Sequence, residues 1–453
     1  MSEDLIIEEI EEHKEEHIKF LRDIIQAESY NPPGNEKNVA LVIERYLKNA
    51  GIKSDVFPFD DNRANLLAYL NDNFEGRNLL YNGHMDVVPP GNEEEWKYPP
   101  LSGVIKGGKK RQKIFGRGTA DMKTALCAMT ISLKILKKLG IKLSGNLILN
   151  AVADEETGGK LGTFWLLENQ LKQIKCDFVL IGETTGLMPL GKAIVVGEKG
   201  HLNLKIITNG VSCHSMMPTM GKNAIEMMSE IIQNLDGMDK YMPQIDPPIS
   251  KEKMKDLLSE LLPSKQIFEK ILGEQKILQD LLYALTHFTK SVTVINAGIK
   301  ENVIPNRCEA VLDFRLLPGQ STDMILEALK KFILNDLGYK TKDEPIGHPE
   351  EIFVYIEVFQ DGESSFWKNW EKSQTLRDLA KICEKFYEQK PTYLLSPGGM
   401  DCCYYRNSNY CLQTVGFGPG SITNMHATNE SVEISDFINS IKVYTIFAYN
   451  FLS

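Results

Sequence analysis

The stretch NLILNAVADEETGG (146–159) does most to decide the fold of this chain. Residues 146–153 form a largely apolar run, which is typical of a strand buried on both faces of a sheet. The run ends in three consecutive acids, Asp154, Glu155 and Glu156, whose carboxylates repel one another and so indicate positive charge nearby. A solvated acidic loop is the alternative, and the neighbouring segments have to decide between the two.

Segments of similar character lie on both sides of this stretch. Strand-like runs occur at NLLAYL (65–70), NLLYNGH (78–84) and DFVLIG (177–182), and helical periodicity marks residues 4–27, 36–50, 122–139 and 161–170. Strands that are apolar on both faces and alternate with helices predict an α/β fold, in which helices cover a mixed, mostly parallel sheet. Because the strand ends of such sheets converge on one crevice, we expect the polar residues that follow the strands to form a site.

The pattern changes after about residue 196. Strand, helix, strand, strand, helix and strand follow in that order, at 200–210, 221–235, 291–298, 308–317, 322–336 and 351–360. This order predicts an inserted α+β domain of ferredoxin-like type at 197–360. Helical periodicity with few breakers also predicts a helical insertion inside it, at about 236–288. The first domain is therefore expected to be discontinuous and to consist of residues 1–196 and 361–453.

Composition excludes several classes of function. A chain of 453 residues, 42% hydrophobic and 25% charged, suits two globular domains, and its net charge of −10 argues against nucleic-acid binding. No segment approaches the ~20 apolar residues of a membrane span, and the start of the chain lacks the basic and apolar regions of a secretory signal. Eight cysteines without a CxxC pair predict reduced thiols and a cytoplasmic location. The basic stretch 106–113 is expected to be a solvated hairpin tip.

Five potential metal ligands stand in Gly- or Pro-punctuated turns along the chain. They are His84, Asp121, Glu156, Glu183 and His426. A catalytic zinc normally keeps three protein ligands from among imidazoles and carboxylates, so two ions that share one carboxylate need five residues. The three carboxylates contribute −3 against the +4 of two Zn²⁺, so the charges nearly balance. The set therefore predicts two zinc ions rather than one.

Three acids near these ligands have competing interpretations. Asp86 lies two residues beyond His84 on the same side of an extended segment, so we expect its carboxylate to bond the imidazole and fix its tautomer. Asp121 directly precedes the helix expected from Met122, where the role of N-cap competes with that of a metal bridge. Glu155 points away from Glu156 and is the candidate general base. The remaining histidines of interest have no partnered motif and are not expected in the site: His201, His287 and His348.

Five motifs stand in an order that marks a family resemblance: GHMDVVP, GRGTADMK, DEETGG, IGE and MHATNE. With them the chain resembles the dinuclear-zinc metallopeptidase family of aminoacylase, acetylornithine deacetylase, succinyl-diaminopimelate desuccinylase and glutamate carboxypeptidase. The resemblance implies that His84 and Glu183 hold one Zn²⁺ and that Glu156 and His426 hold the other. It also implies that Asp121 bridges the two ions and that Glu155 is the base. Co²⁺ or Mn²⁺ would suit the same ligands.

The same resemblance implies roles for the inserted domain. It would be a lid whose sheet edge pairs two subunits into a homodimer. His214, in VSCHSMMP (211–218), would stabilise the oxyanion, either in its own subunit or across the dimer. Asn302 and Arg315 would hold a carbonyl or carboxylate of the substrate, and Gly398 and Gly399 would offer their backbone amides.

Together these features predict a metal-dependent hydrolase. It would cleave an amide bond in N-acyl amino acids or short peptides, through a water activated by two zinc ions and a Glu base. An aminopeptidase or dipeptidase with a similar metal core is the alternative, although an aminopeptidase of that kind needs no inserted lid. A non-catalytic binding protein on the same scaffold would be favoured by a missing ligand or base, and none is missing.

Overall fold

The computed structural model describes residues 2–71, 76–108, 111–187, 190–345, 347–348 and 350–453. Its helices are α1 (Ser2–Glu12), α2 (Lys14–Gln26), α3 (Glu36–Asn49), α4 (Lys123–Lys138), α5 (Trp165–Asn169), α6 (Ala224–Gln233), α7 (Lys251–Ser259), α8 (Lys265–Glu274), α9 (Lys276–Thr286), α10 (Thr322–Asn335), α11 (Gln374–Tyr387), α12 (Cys402–Asn407) and α13 (Ile434–Leu452). None of the helices in these described ranges has the length and apolar character to cross a bilayer.

The strands follow in chain order. They are β1 (Lys53–Pro58), β2 (Ala64–Tyr69), β3 (Asn78–His84), β4 (Val104–Lys106), β5 (Lys113–Phe115), β6 (Asn146–Val152), β7 (Phe178–Ile181), β8 (Ala193–Glu198), β9 (Gly200–Asn209), β10 (Cys213–His214), β11 (Thr289–Ala297), β12 (Val303–Ile304), β13 (Arg307–Leu316), β14 (Thr341–Lys342), β15 (Phe353–Gly362), β16 (Ser365–Phe366), β17 (Thr392–Ser396), β18 (Thr414–Gly416) and β19 (Ser431–Glu433).

The larger sheet has a parallel centre and antiparallel margins. Its nine strands run in the order β1-β2-β6-β3-β7-β18-β8-β16, and β17 pairs with β8. The central strands β6, β3, β7 and β18 are mutually parallel, whereas β1, β2 and β16 run antiparallel to their neighbours. Every residue of β3, β6 and β7 is buried, as expected for strands covered on both faces. The predicted α/β class with a mixed sheet is confirmed.

Alternating side chains of these strands enter two separate cores. Leu79 and Tyr81 pack with α2, α3, α4 and α13 on one face, and Leu80 packs with α5 and α12 on the other. Side chains of successive strand residues point to opposite faces, so a strand that is apolar throughout serves both cores. The loops at the carboxyl ends of β3, β6 and β7 carry the polar residues that were predicted to form a site.

A second sheet is built between residues 200 and 362. Its strand order is β11-β13-β9-β15-β14, and α6 and α10 pack on one face. Leu202, Leu204 and Ile206 of β9 enter that core, so His201 and Asn203 point to the opposite face. The order of the four long strands is that of the predicted ferredoxin-like lid. β15 continues to Gly362, two residues beyond the expected end at 360.

The helical insertion packs against the larger domain rather than against the lid sheet. Leu257 and Leu258 of α7 share a hydrophobic core with Trp370 and Leu394, which belong to the nine-stranded domain. Thr392 donates a hydrogen bond from its hydroxyl to the carbonyl of Leu257, at 2.8 Å. The insertion is thus part of the lid in sequence, but its apolar surface is buried in the other domain.

Several element boundaries differ from the sequence prediction. The helix expected over 4–27 is divided at His13, whose Nδ1 lies 3.1 Å from the carbonyl of Glu9 and competes for that helical acceptor. The helix expected from Met122 begins at Lys123. β4 and β5 pair antiparallel at the predicted basic stretch, and residues 109 and 110, within the predicted hairpin tip, lie outside the described residues.

Candidate active site

The candidate ligands follow the carboxyl ends of the central parallel strands. His84 is the last residue of β3, Glu156 comes four residues after β6, and Glu183 comes two residues after β7. Because β6, β3 and β7 are parallel neighbours, these ends meet at the same edge of the sheet. Asp121 lies in the turn before α4, and His426 lies in the long loop after β18.

The five side chains form two overlapping groups that share Asp121. His84, Asp121 and Glu183 make one group, and Asp121, Glu156 and His426 make the other, with potential ligand atoms within 4.8 Å of one another in each. One oxygen of Asp121 lies 2.9 Å from His84 Nε2, and its other oxygen lies 3.1 Å from His426 Nε2. The structure therefore brings all five predicted ligands together and places Asp121 between the two imidazoles.

The chemistry of this cluster fits two divalent cations. Within the described part of the chain, Glu156 Oε1 and Glu183 Oε1 are buried and have no hydrogen-bond partner. Burial, reinforced by neighbouring carboxylates, raises the pKa of Glu183 well above its ordinary value. Hydrogen bonds to Asp121 and Glu156 raise the pKa of His426 to about 10. Buried carboxylate oxygens without partners are costly, and cations between the two imidazoles would satisfy them.

Glu155 lies beside the cluster and faces the cavity. Its Oε2 is 4.0 Å from His84 Nε2, and its side chain is 17% exposed. Burial is the main cause that raises the pKa of Glu155 well above its usual value, and the negative charge of Glu183 adds to the rise. The residue stands in a single 3-10 turn, Glu155–Thr157, that follows Asp154 in the left-handed region at φ 71°. This turn places the carboxyl group of Glu155 on the wall of the cavity.

Asp86 contacts the His84 imidazole through its backbone and not, as predicted, through its carboxylate. His84 Nδ1 donates to the backbone carbonyl of Asp86 at 2.8 Å, and the nearest carboxylate oxygen is 3.6 Å away. The carboxylate instead accepts the backbone N–H groups of Glu155 and Glu156, at 3.3 and 3.2 Å, and the amide of Asn31 at 2.9 Å. The main chain of Asp86 therefore fixes the imidazole, and its side chain holds the turn that carries Glu155.

Asp121 does not cap helix α4. The N-cap position is occupied by Met122, without a side-chain hydrogen bond, and both oxygens of Asp121 face imidazoles. Of the two roles that compete for these oxygens, the geometry favours the bridge. The turn is held from behind by Glu430, a fully buried acid that the sequence marks only by its position four residues after His426.

A cavity of about 320 Å³ separates this cluster from the lid. We call its lower wall the floor; it comprises Asp121, Glu155, Glu156, Glu183 and His426. We call its upper wall the roof; it comprises His201, Asn203, Arg315, Gln360 and Gly362 of the lid sheet. Gly398, Gly399 and Met400 line one side. The site therefore lies in a cleft between the two sheets.

The predicted substrate-binding residues divide into two sets. Arg315, Gly398 and Gly399 line the cavity. His214 and Asn302 do not line it, and they lie together elsewhere on the lid, where β10 pairs with β12 and the N–H of Ser215 donates to the carbonyl of Asn302 at 3.0 Å. His214 is exposed there. Within one chain, Arg315, Gly398 and Gly399 therefore lie at the site, whereas His214 and Asn302 do not.

His201 lines the cavity, although it belongs to no motif in the sequence. In the lid sheet it is aligned with Arg315 on one side and with Gly362 on the other. A Cβ at Gly362 would lie 2.3 Å from the imidazole, so the glycine leaves room for the ring. Burial, helped by the charge of Arg315, lowers the pKa of His201 and favours the neutral form. The alternation of apolar and polar residues along β9 predicts on which face of the sheet His201 lies. It does not predict that this face lines the cavity.

Comparison with known proteins agrees with this architecture. The model of the peptidase family M20/M25/M40 matches residues 80–450. A probable succinyl-diaminopimelate desuccinylase from Staphylococcus aureus (strain MSSA476) is 27% identical over 438 residues, which are 95% of this chain and 96% of that relative.

Solved structures show the same fold. An M20 family metallo-carboxypeptidase from Sulfolobus solfataricus has a TM-score of 0.75 at 23% identity, over 96% of this chain and 99% of the other. A di-peptidase from Saccharomyces cerevisiae has a TM-score of 0.76 at 17% identity, over 100% of this chain and 99% of the other. The resemblance seen in the sequence motifs is confirmed. The chain belongs to the peptidase family M20/M25/M40 and is a metal-dependent hydrolase of amide bonds.

Proposed function

We propose that this enzyme hydrolyses the amide bond of N-acyl amino acids or short peptides with two divalent cations bound at the floor. His84 and Glu183 would hold one cation, Glu156 and His426 the other, and Asp121 would bridge them. The observation that carries the proposal is the position of Asp121, with one oxygen 2.9 Å from His84 and the other 3.1 Å from His426. A pair of such cations lowers the pKa of water and polarises a carbonyl oxygen. Zn²⁺ is the first choice for these ligands, and Co²⁺ or Mn²⁺ are the alternatives.

Glu155 is the general base in this proposal. It accepts a proton from the attacking water and returns it to the leaving amine. Its carboxylate faces the cavity, and the Asp86 carboxylate holds its backbone N–H at 3.3 Å, so its position does not depend on the substrate. The same turn brings Glu156 into the cluster, which keeps base and ligand at a fixed spacing.

Arg315 is the proposed partner for a carboxylate of the substrate. It donates from Nε and Nη2 to Asp313, at 2.9 and 3.1 Å, while Nη1 has no hydrogen-bond partner among the described residues. A guanidinium held by one carboxylate and open on another edge is prepared to bind a second one. Gly398 and Gly399 line the same cavity and would add backbone donors.

The lid surface supports the proposal of a homodimer. β11 is the edge strand of its sheet, and Val292, Val294 and Ile295 on it are 37%, 46% and 52% exposed. An exposed apolar edge strand is a surface on which a second copy can pair. His214 and Asn302 lie outside the cavity of their own chain, so we propose that they act in the site of the partner subunit. The eight cysteines are all free, in keeping with the reducing cytoplasmic location that we propose.

Metal analysis combined with a substrate panel tests the function. The purified enzyme is assayed for bound Zn²⁺, Co²⁺ and Mn²⁺, and then with N-acetyl amino acids, N-succinyl amino acids and unblocked dipeptides. We expect two equivalents of metal, turnover of at least one class, loss of turnover on chelation and recovery on return of the metal. Hydrolysis of dipeptides alone would select the dipeptidase alternative. Binding of two metals without hydrolysis of any compound would contradict the proposal.

A further inference from the structure

A buried ion pair lies behind the floor and does not line the cavity. Arg117 Nη1 donates to Glu430 Oε2 at 2.7 Å, and the two side chains are 3% and 0% exposed. Burial of two charges is costly unless each is fully hydrogen-bonded, so the other contacts of this pair indicate what it holds.

Glu430 holds the turn that carries Asp121. Its Oε1 accepts the backbone N–H groups of Ala120 and Asp121, at 2.6 and 3.1 Å. Its Oε2 also accepts the backbone N–H of Gly118 at 3.1 Å. Three main-chain donors from one turn therefore converge on one carboxylate, which fixes the backbone on which Asp121 stands.

Arg117 holds the loop that carries His426. Its Nη2 donates to the backbone carbonyl of His426 and its Nη1 to that of Ala427, both at 3.3 Å. His426 itself has a left-handed φ of 57° and a side chain that is 49% exposed, so its own surroundings constrain it little. The ion pair thus joins the turn of Asp121 to the loop of His426.

The other half of the cluster is positioned without this pair. His84 is the last residue of a fully buried strand, and its Nδ1 donates to the carbonyl of Asp86 at 2.8 Å. Glu183 follows the neighbouring strand β7 at the same sheet edge. The spacing between His84 and Glu183 is therefore set by the sheet.

We propose that Arg117 and Glu430 are positioning residues that set the distance between Asp121 and His426 and thereby the affinity of the second cation position. The first position shares Asp121 with the second but takes its other two ligands, His84 and Glu183, from the sheet, so it depends on the pair less than the second position does. This inference rests on the two-cation centre proposed above. In this proposal the sheet positions His84 and Glu183, whereas the ion pair positions Asp121 and His426.

Metal titration of Glu430→Gln tests the assignment. Glutamine has the shape of glutamate but replaces one acceptor oxygen with a donor amide, which must face either the guanidinium or the backbone N–H groups. Stepwise affinities for Zn²⁺ are measured by competition with a chelating dye, without any substrate. We expect the first affinity to change less than about threefold and the second to fall about 10- to 100-fold, the usual effect of losing a residue that orients a metal ligand.

Four further measurements separate positioning from general structure. Glu433→Gln, three residues along the same segment, is the matched control and should bind both cations as the parent does. Arg117→Lys keeps the charge but has fewer donors, so it should weaken the second affinity less than Glu430→Gln does. The Arg117→Gln, Glu430→Gln double variant should lower the second affinity no more than the stronger of its two single variants does, because the pair acts as one unit. With Mn²⁺, the spin-coupled resonance spectrum of the parent should give way to that of isolated ions in Glu430→Gln.

Each contrary result has a distinct meaning. Two unchanged affinities in Glu430→Gln would overturn the positioning role and leave the proposed function standing. Equal loss of both affinities together with a lower melting temperature would show a structural role and would also overturn it. A parent protein that binds fewer than two cations would overturn the two-cation centre, and the inference with it.

Discussion

The floor and the roof of the cavity are built in different ways. The floor stands at the ends of parallel strands. Its residues Glu183 and Asp121, and His84 beside them, are 4%, 5% and 1% exposed and are held by the sheet or by backbone hydrogen bonds. His426 is 49% exposed, and Arg117 holds its backbone. The roof is a set of polar side chains on one face of a separate sheet, and Arg315 on it is bonded only to Asp313 among the described residues. A rigid floor suits chemistry, which needs fixed atoms, and a looser roof suits recognition.

Replacement of Glu155 tests the floor and should have the largest effect. Glu155→Gln keeps the size of the side chain but removes the base, so we expect turnover to fall about 10²- to 10⁴-fold while bound metal is unchanged. Steady-state kinetics and metal analysis of the same preparation measure both quantities. Glu168→Gln, an exposed acid on α5, is the control. Retained turnover in Glu155→Gln would remove this residue from the mechanism.

His214 tests whether the roof is completed by a second subunit. His214→Ala should reduce turnover about 10²- to 10³-fold if the imidazole stabilises the oxyanion. In a random mixture of Glu155→Gln and His214→Ala subunits, half of the dimers are mixed and each has one intact site, so about a quarter of the parent activity should return. A mixture as inactive as its components, in a protein shown to be dimeric, would place His214 in the site of its own subunit, and full activity of His214→Ala alone would remove it from the mechanism.

Arg315 tests recognition at the roof. Arg315→Met should raise KM for an N-acetyl amino acid about 10- to 100-fold, because a hydrogen bond to a charged group is lost. The corresponding amino acid amide has no carboxylate, so its kinetics should change little. Lys205→Gln is the control, since it lies on the lid strand β9 and outside the cavity. An equal effect on acid and amide would mean that Arg315 does not bind the carboxylate.

The helical insertion belongs to the lid in sequence but packs on the domain that carries the floor. A substitution in it should affect turnover least. Leu258 is fully buried in the core of the nine-stranded domain, so Leu258→Ala should lower the free energy of unfolding by about 2–5 kcal/mol. Ile277→Ala, at a side chain that is 72% exposed, should change it by less than about 0.5 kcal/mol. Denaturant unfolding followed by circular dichroism measures both. A separate early transition for the insertion in Leu258→Ala would show that it does not share the core.

Much of the floor was predictable from sequence because its signals are local. Each candidate ligand follows an apolar strand or a Gly-rich turn, and strand ends in an α/β sheet converge by topology. Apolar runs and helical periodicity likewise predicted the central strands and most helices. The sequence predicted that the Asp86 carboxylate bonds the His84 imidazole. In the structure the backbone carbonyl of Asp86 does so, because the carboxylate accepts the backbone N–H groups of Glu155 and Glu156.

The roof and the supports of the floor were harder to predict. His201 carries no motif, and its place in the cavity depends on how the lid sheet is set against the floor. Arg117 and Glu430 are 313 residues apart, and no local pattern indicates that they pair. The docking of α7 on the larger domain is equally invisible to periodicity, which reports that a helix has an apolar face and not which core receives it.

By itself, the sequence determined which residues are candidates for the chemistry, because a strand, the turn after it and the acid in that turn are neighbours in the chain. Only the tertiary structure decided which of them meet, at what distances, and what holds them there. Packing and long-range hydrogen bonds between segments hundreds of residues apart set those relations, and they leave no periodic trace in either segment.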